Sequence, residues 1–493
     1  MATASLRFEG GPYIDGEWVD SEGVIEVNDL TEDDGEIFAR VDAASGNQAE
    51  SALEAAERTQ DVMGETTIPE RVAWLEAIAE GLEARKAEIA EVIVREAGKP
   101  ISSARSEVSN GVERFRRAVG EARDLRGEYV EGTTSGHAGW EAYVEPEPVG
   151  TVLSIVPYNY PLMTTALHVA PALAAGNCVI LKPASATPMT AAILTEVIAE
   201  TDVPEGAFNF VPGHGSEIGD LLSGSDLVDA IVMTGSSGAG EHVARESGMV
   251  NLLMELGGNA PAVVFPDADL DDAAAACAKG SLKYAGQRCS AVSRVLAHEA
   301  VHDELVKRIE GEMNDWLVGD LFDESTAVGP LISEGQADWV EELIEDAVDR
   351  GAEVVRGGER DGREIEPTLL ANVPRNARIV HEEQFGPVVA ATTISDADDA
   401  VNLANESDLA LDGAVFTADH DRAMRVAERI DAGAVRINGA PSHGLGDIPF
   451  GGNKDSGIGR EGIGYSIERF VRRSPNPCCR RRGCPRDHAT ARR

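Results

Sequence analysis

The chain of 493 residues is too long for one hydrophobic core and calls for two or three domains, enough to enclose a buried site. Its formal charge of −43, from 86 acidic against 43 basic residues of which only seven are lysine, argues against nucleic acid as a partner. So acidic and lysine-poor a surface is tolerable where abundant counter-ions screen its self-repulsion, which predicts a salt-adapted, halophilic protein.

Residues 1–10 hold no basic stretch followed by an apolar one, so no secretory leader is expected and the cytoplasm is the expected compartment. A strand is read at residues 13–18. A helical stretch follows in which Val72, Leu75, Ile78, Ala79, Leu82, Ile89 and Ile93 share one face. The uncharged run 148–181 has the length of a membrane span, but Pro157, Asn159, Pro161, Pro171 and Gly176 interrupt it. It reads instead as buried strand, loop, helix and strand, with no membrane partner.

Between Thr151 and Glu255, short apolar strands at 152–156, 179–181, 208–211, 230–233 and 252–255 alternate with helical stretches, the pattern of βαβ units and a parallel sheet. Pro157, Pro183, Pro212-Gly213 and Gly235 fall just beyond these strands, where a doubly wound sheet holds its ligand. A second α/β region runs from Leu256 to Ile437.

Of the six cysteines, Cys178 and Cys277 sit in apolar segments and Cys478, Cys479 and Cys484 crowd the tail. Cys289 lies in the polar turn Gly286-Gln287-Arg288-Cys289-Ser290, beyond a helical run from Leu270 to Tyr284. A backbone N–H there suits a reactive thiol and an oxyanion, although a structural cysteine fits the same turn. Glu255 ends an apolar strand, which suits either a salt-bridged carboxylate or a general base of raised pKa. Asn159 stands between Pro157 and Pro161 in a rigid turn. It is either a donor aimed at developing negative charge or an ordinary turn residue.

The segment 472–493 is foreign to the rest: eight arginines and one acid, with three cysteines at no zinc-ligand spacing. A disordered Arg/Cys-rich tail is expected there, and no metal site.

Together with Leu181-Lys182-Pro183, Val211-Pro212-Gly213-His214-Gly215, Thr234-Gly235-Ser236, Glu383-Gln384-Phe385-Gly386-Pro387, Pro449-Phe450-Gly451-Gly452 and Ser456-Gly457, these segments resemble the aldehyde dehydrogenase superfamily from Tyr13 to Glu468. The resemblance implies an α/β fold. A doubly wound, Rossmann-like dinucleotide-binding domain would span 1–126 and 149–255, and a catalytic domain with the nucleophile 256–437. Bridging, oligomerisation and anchor-loop segments would occupy 127–148 and 438–471 of a homodimer or homotetramer.

The chemistry it implies is oxidation of an aldehyde to the free carboxylic acid with NAD or NADP. Cys289 attacks, the Asn159 amide and the Cys289 N–H hold the oxyanion, and Glu255 activates the water that hydrolyses the thioester. The implied cofactor contacts are Pro157, Tyr158, Lys182, Ser185, Gly215, Gly219, Gly235, Ser236, Leu256, Glu383 and Phe385. Ser185 replaces a glutamate of NAD-preferring members and does not repel a 2′-phosphate, so NADP should be accepted.

For the substrate, Tyr160 and Arg288 match phosphate-contacting positions of non-phosphorylating glyceraldehyde-3-phosphate dehydrogenases, whereas His443 and Asn110 stand where that group has arginine. The pattern at 454–462 is similar to lactaldehyde-type members; succinate semialdehyde and aromatic aldehydes are the alternatives. Arg288 either grips an anion or turns away to pair with an acid. A family member acting only as a binding or structural protein would be expected to lack Cys289, Glu255 or Asn159, and all three are present.

Overall fold

In the computed structural model, which describes residues 10–32, 36–442, 444 and 446–480, the alternating pattern folds into a parallel sheet. Its strands run in the order Phe208–Phe210, Cys178–Lys182, Thr151–Ile155, Ala230–Thr234, Asn251–Glu255. Their runs of buried Val, Ile and Leu are what a parallel sheet covered on both faces requires. Antiparallel additions close its edges: Tyr13–Ile14 beside Phe208–Phe210, and Gly457–Ile458 beside Asn251–Glu255. Winding reverses between Thr151–Ile155 and Ala230–Thr234. A crevice therefore opens beyond their carboxyl ends, at residues 156–162 and 235–236.

The apolar face read at 72–93 is buried, but it belongs to two helices, Ile68–Ala84 and Lys86–Ala97. They part at Arg85, whose guanidinium is pinned by Glu88 and Glu196. The run 148–181 forms Thr151–Ile155, a loop, the wholly buried helix Met163–Ala175, and Cys178–Lys182. No helix among the described residues is long and apolar enough to cross a membrane.

A second sheet, in the order Glu353–Arg356, Thr368–Ala371, Val388–Ile394, Val292–His298, Ala260–Val264, Asp412–Phe416, Ala434–Ile437, is parallel except for its first strand. The helix before the cysteine turn stops at Leu282, two residues short of the expected Tyr284. Tyr284 and Ala285 adopt φ of +56° and +49°, which no helix accommodates.

The tail also differs from expectation. Val471–Arg480 is a strand, antiparallel to Trp140–Pro148 in a three-stranded sheet with Glu128–Glu131, so disorder does not begin at residue 472. Edge pairing uses backbone groups that almost any sequence supplies, and the proline-containing stretch is absorbed by a register shift between Pro475 and Cys478. Residues 481–493, with Cys484, lie outside the described residues, as does His443.

Candidate active site

The turn that carries Cys289 is built under strain. Two consecutive non-glycine residues, Tyr284 and Ala285, are left-handed, a costly conformation that surrounding contacts must hold. The Tyr284 hydroxyl donates to the Ala97 carbonyl at 2.8 Å. Gly286 follows at φ +70°, where a Cβ would lie 2.0 Å from the Gly386 carbonyl oxygen. Gln287, fully buried, accepts from the Ile332 N–H at 3.0 Å and donates to the Pro330 carbonyl at 3.3 Å. The thiol of Cys289 emerges from this frame into a cavity of about 690 Å³.

Asn159 lies across from it, 5 % exposed, its amide nitrogen donating to the Gln287 carbonyl at 2.9 Å. That bond uses one amide hydrogen, fixes the plane of the group and leaves the second hydrogen for another acceptor. No acceptor for the Cys289 backbone N–H is found among the described residues. Glu255 lines the same cavity, and both of its buried carboxylate oxygens lack a hydrogen-bond partner among the described residues. Burial, and next the nearby Glu461, push its pKa well above the carboxylate range, with Arg460 pulling the other way. Enclosure likewise raises the Cys289 thiol, helped by Glu383, Glu255 and Glu461 and opposed by Arg288. The geometry thus combines a buried thiol, a carboxyl whose raised pKa suits a general base, and donors for an oxyanion.

Pro157, Tyr158, Gly235, Ser236, Glu383 and Phe385 line the same cavity. Glu383 accepts from the Gly258 N–H at 2.9 Å, and its pKa is raised by burial to about 7. Gly257 keeps it close, since a Cβ there would lie 2.7 Å from a Glu383 oxygen. Phe385, at φ +49°, meets the Tyr158 ring edge-on at 6.1 Å. Leu256 packs under the helix Ser237–Glu246, where Gly240 leaves room for it.

Lys182, Ser185, Gly215 and Gly219 are not part of that cavity lining. Lys182 is buried with no ion pair among the described residues, and burial alone lowers its pKa to about 8. An uncompensated buried cation of this kind fits ribose hydroxyls or a phosphate. Ser185 donates to the Gly213 carbonyl at 3.1 Å, and Gly215 and Gly219 present an open face one helical turn apart. Ser236 caps the helix that starts at Ser237, whose first N–H groups suit a pyrophosphate. These residues fit a nicotinamide dinucleotide.

Arg288 does not pair with an acid among the described residues. It is 9 % exposed, donates to the Gly280 carbonyl, keeps an unpartnered Nε and lines the cavity. Tyr160 sits beside it, its hydroxyl pKa pushed up to about 12, chiefly by burial. Asn110 shares this wall with groups that sequence reasoning missed: Lys99, Glu107, Arg114 and Lys283. Lys99, 1 % exposed, is ion-paired with Glu107 and lies 3.7 Å and 4.3 Å from the ring centroids of Tyr160 and Tyr284. Glu107 also accepts the Leu162 and Met163 N–H groups at the start of the helix Met163–Ala175. Glu107, Asn110 and Arg114 recur at helical spacing on Ile101–Asp124, so the signal was present, but as polar positions they read as a solvent face.

The aldehyde dehydrogenase family model matches residues 18–474. The lactaldehyde dehydrogenase of Methanocaldococcus jannaschii is 34 % identical over 460 residues, covering 92 % of this chain and 97 % of that one. The NADP-dependent glyceraldehyde-3-phosphate dehydrogenase of Streptococcus equinus is 36 % identical over 458 residues, covering 92 % and 96 %. Among solved structures, the NADP-dependent glyceraldehyde-3-phosphate dehydrogenase of Bacillus halodurans, complexed with NADP, superposes with a TM-score of 0.93 at 36 % identity over 95 % of this chain and 98 % of that one. The chain belongs to the aldehyde dehydrogenase family and is an NAD(P)-dependent aldehyde oxidoreductase.

Proposed function

We propose that the enzyme converts a small aldehyde bearing an α-hydroxyl and an anionic end, of the glyceraldehyde 3-phosphate type, to the free acid, using NAD or NADP. The carrying observation is Arg288, a buried guanidinium with no ion pair among the described residues, adjacent in sequence to the nucleophile and lining the same cavity. Cys289, ionised by loss of its proton to solvent water, attacks the carbonyl carbon. The oxyanion is met by the second Asn159 amide hydrogen and the Cys289 N–H. A nicotinamide dinucleotide held in the crevice would supply the acceptor for the hydride whose departure leaves the thioester on Cys289. Glu255 then removes a proton from water, which adds to the thioester, expels the thiolate and yields the carboxylate.

Lys182 and Ser185 would hold the adenosine ribose, with Ser185 leaving room for a 2′-phosphate. Gly215, Gly219, Gly235 and Ser236 would border the adenine and pyrophosphate. Pro157, Tyr158, Leu256, Glu383 and Phe385 would frame the nicotinamide end. Lactaldehyde is the second reading, favoured by the match to lactaldehyde dehydrogenase and by Asn110 at a position where a phosphate-binding arginine was expected. Exposed Tyr129, Val130 and Tyr143 on the three-stranded sheet support a homo-oligomer, and the acidic composition supports a salt-rich cytoplasm.

The test is pre-steady-state NAD(P)H formation with glyceraldehyde 3-phosphate, lactaldehyde, succinate semialdehyde and benzaldehyde. Cys289→Ala should abolish both burst and turnover, a loss of about four orders of magnitude or more. Glu255→Gln should keep one equivalent of burst and stall as the thioester. Equal loss of the burst in both variants would remove Glu255 from the hydrolytic step.

A further inference from the structure

Lys283 lies at the end of the helix Leu270–Leu282, six positions from the nucleophile, half-buried and lining the same cavity as Arg288. It has no ion pair among the described residues, although acids outnumber bases two to one in this chain and exposed arginines elsewhere find carboxylates within reach, as Arg40 finds Glu26 and Arg123 finds Glu76. Of the carboxylates that line the cavity, Glu107 is already committed to Lys99 and to two backbone N–H groups. Lys283 and Arg288 are neighbouring cations with no ion pair among the described residues, and of the two only Arg288 lies within electrostatic reach of the buried Asp412. The lowered pKa of Lys283, caused first by burial and then by Arg288 and Lys279, is the cost of that arrangement. The carbonyl end of the helix offsets part of it. A monoanion would relieve the charge of one cation; a dianion reaching both relieves both.

We infer that Lys283 and Arg288 form a two-cation seat for the distal end of the substrate, and that Lys283 selects an aldehyde carrying a phosphoryl dianion over an uncharged one. This rests on the anionic-substrate reading of Arg288 above and adds a second residue and a charge requirement to it. Lys283 holds the distal group and leaves the chemistry to Cys289 and Glu255, so its contribution should appear in KM.

The experiment compares kcat and KM for glyceraldehyde 3-phosphate and lactaldehyde at constant ionic strength, in the wild type, Lys283→Met, Lys283→Gln, Lys283→Arg and Arg288→Met. Loss of one charge-assisted contact should raise KM for the phosphorylated aldehyde about tenfold or more in Lys283→Met and Lys283→Gln while kcat holds. The kcat/KM ratio of phosphorylated to unphosphorylated aldehyde should fall equally, and Lys283→Arg should restore it. An unchanged ratio in both Lys283 variants, with a fallen ratio in Arg288→Met, overturns this inference and leaves the anionic-substrate reading standing. An unchanged ratio in Arg288→Met as well overturns both. A fall confined to kcat also overturns it, because it assigns Lys283 to the frame of the cysteine turn.

Discussion

The outer surface and the wall beside Cys289 handle charge in opposite ways. Outside, acids dominate and a cation meets a partner within one or two side chains: Arg245 with Glu241, Arg360 with Asp338 and Glu341, Arg378 with Glu342 and Glu382. Such exposed pairs contribute little, roughly 0–1 kcal/mol each. Inside, Lys99, Arg114, Lys283 and Arg288 crowd one wall, and the Lys99–Glu107 pair is almost completely enclosed. In a chain of −43, four cations line one cavity, and of these Lys99 has a committed buried partner in Glu107. Position, more than composition, decides what a charge does here.

The sharpest way to break this contrast is to remove Lys99. Lys99→Met leaves Glu107 buried without its cation and should lower stability by about 3–5 kcal/mol, read as an earlier unfolding midpoint. The double variant Lys99→Met/Glu107→Gln should recover part of the loss, because the uncompensated charge is gone. A Lys99→Met protein as stable as the wild type would mean that the wall is not held by this pair.

Lys99 also marks where sequence reading ran out. Cys289, Glu255, Asn159, Glu383 and Phe385 were legible because they lie in turns or at strand ends within short characteristic strings, and the structure brings all five to one cavity. The five parallel strands were legible too, since each is a short apolar run closed by Pro, Gly or a polar residue. Glu107 and Arg114 come from the helix Ile101–Asp124, far away in the chain, and a polar residue at helical spacing looks the same whether it faces water or a buried wall; Lys99 sits in the short loop before that helix, where a charge reads as solvent-exposed. Lys283 was hidden differently: the helix was read through to Tyr284, which made it one more charge on a helical surface. The strand at Val471–Arg480 was missed because edge pairing depends on backbone groups that composition does not report.

A smaller effect should follow from Glu461, which lines the cavity with Glu255 and raises its pKa. Glu255 acts as a base only when ionised, and a raised pKa delays ionisation to higher pH. Replacing Glu461 by Gln removes a like charge. Glu255 then ionises earlier, and the acid limb of deacylation should move to lower pH. The measurement is hydrolysis of a preformed acyl-enzyme, in which the Cys289 thiol is already consumed and cannot contribute the limb. A limb that stays in place would detach Glu461 from the base.

The smallest expected effect is a null, and it tests both regions at once. Screening at molar salt weakens repulsion among exposed acids, so wild-type melting temperature should rise from low to molar KCl. Ions do not reach a pair as enclosed as Lys99 with Glu107, so the stability deficit of Lys99→Met should stay the same across that range. If salt erased the deficit, the pair would be behaving as a surface charge. If salt failed to raise the wild-type melting temperature, the acidic exterior would have some purpose other than salt adaptation. The two halves of the result are independent, because one region is screened and the other is not.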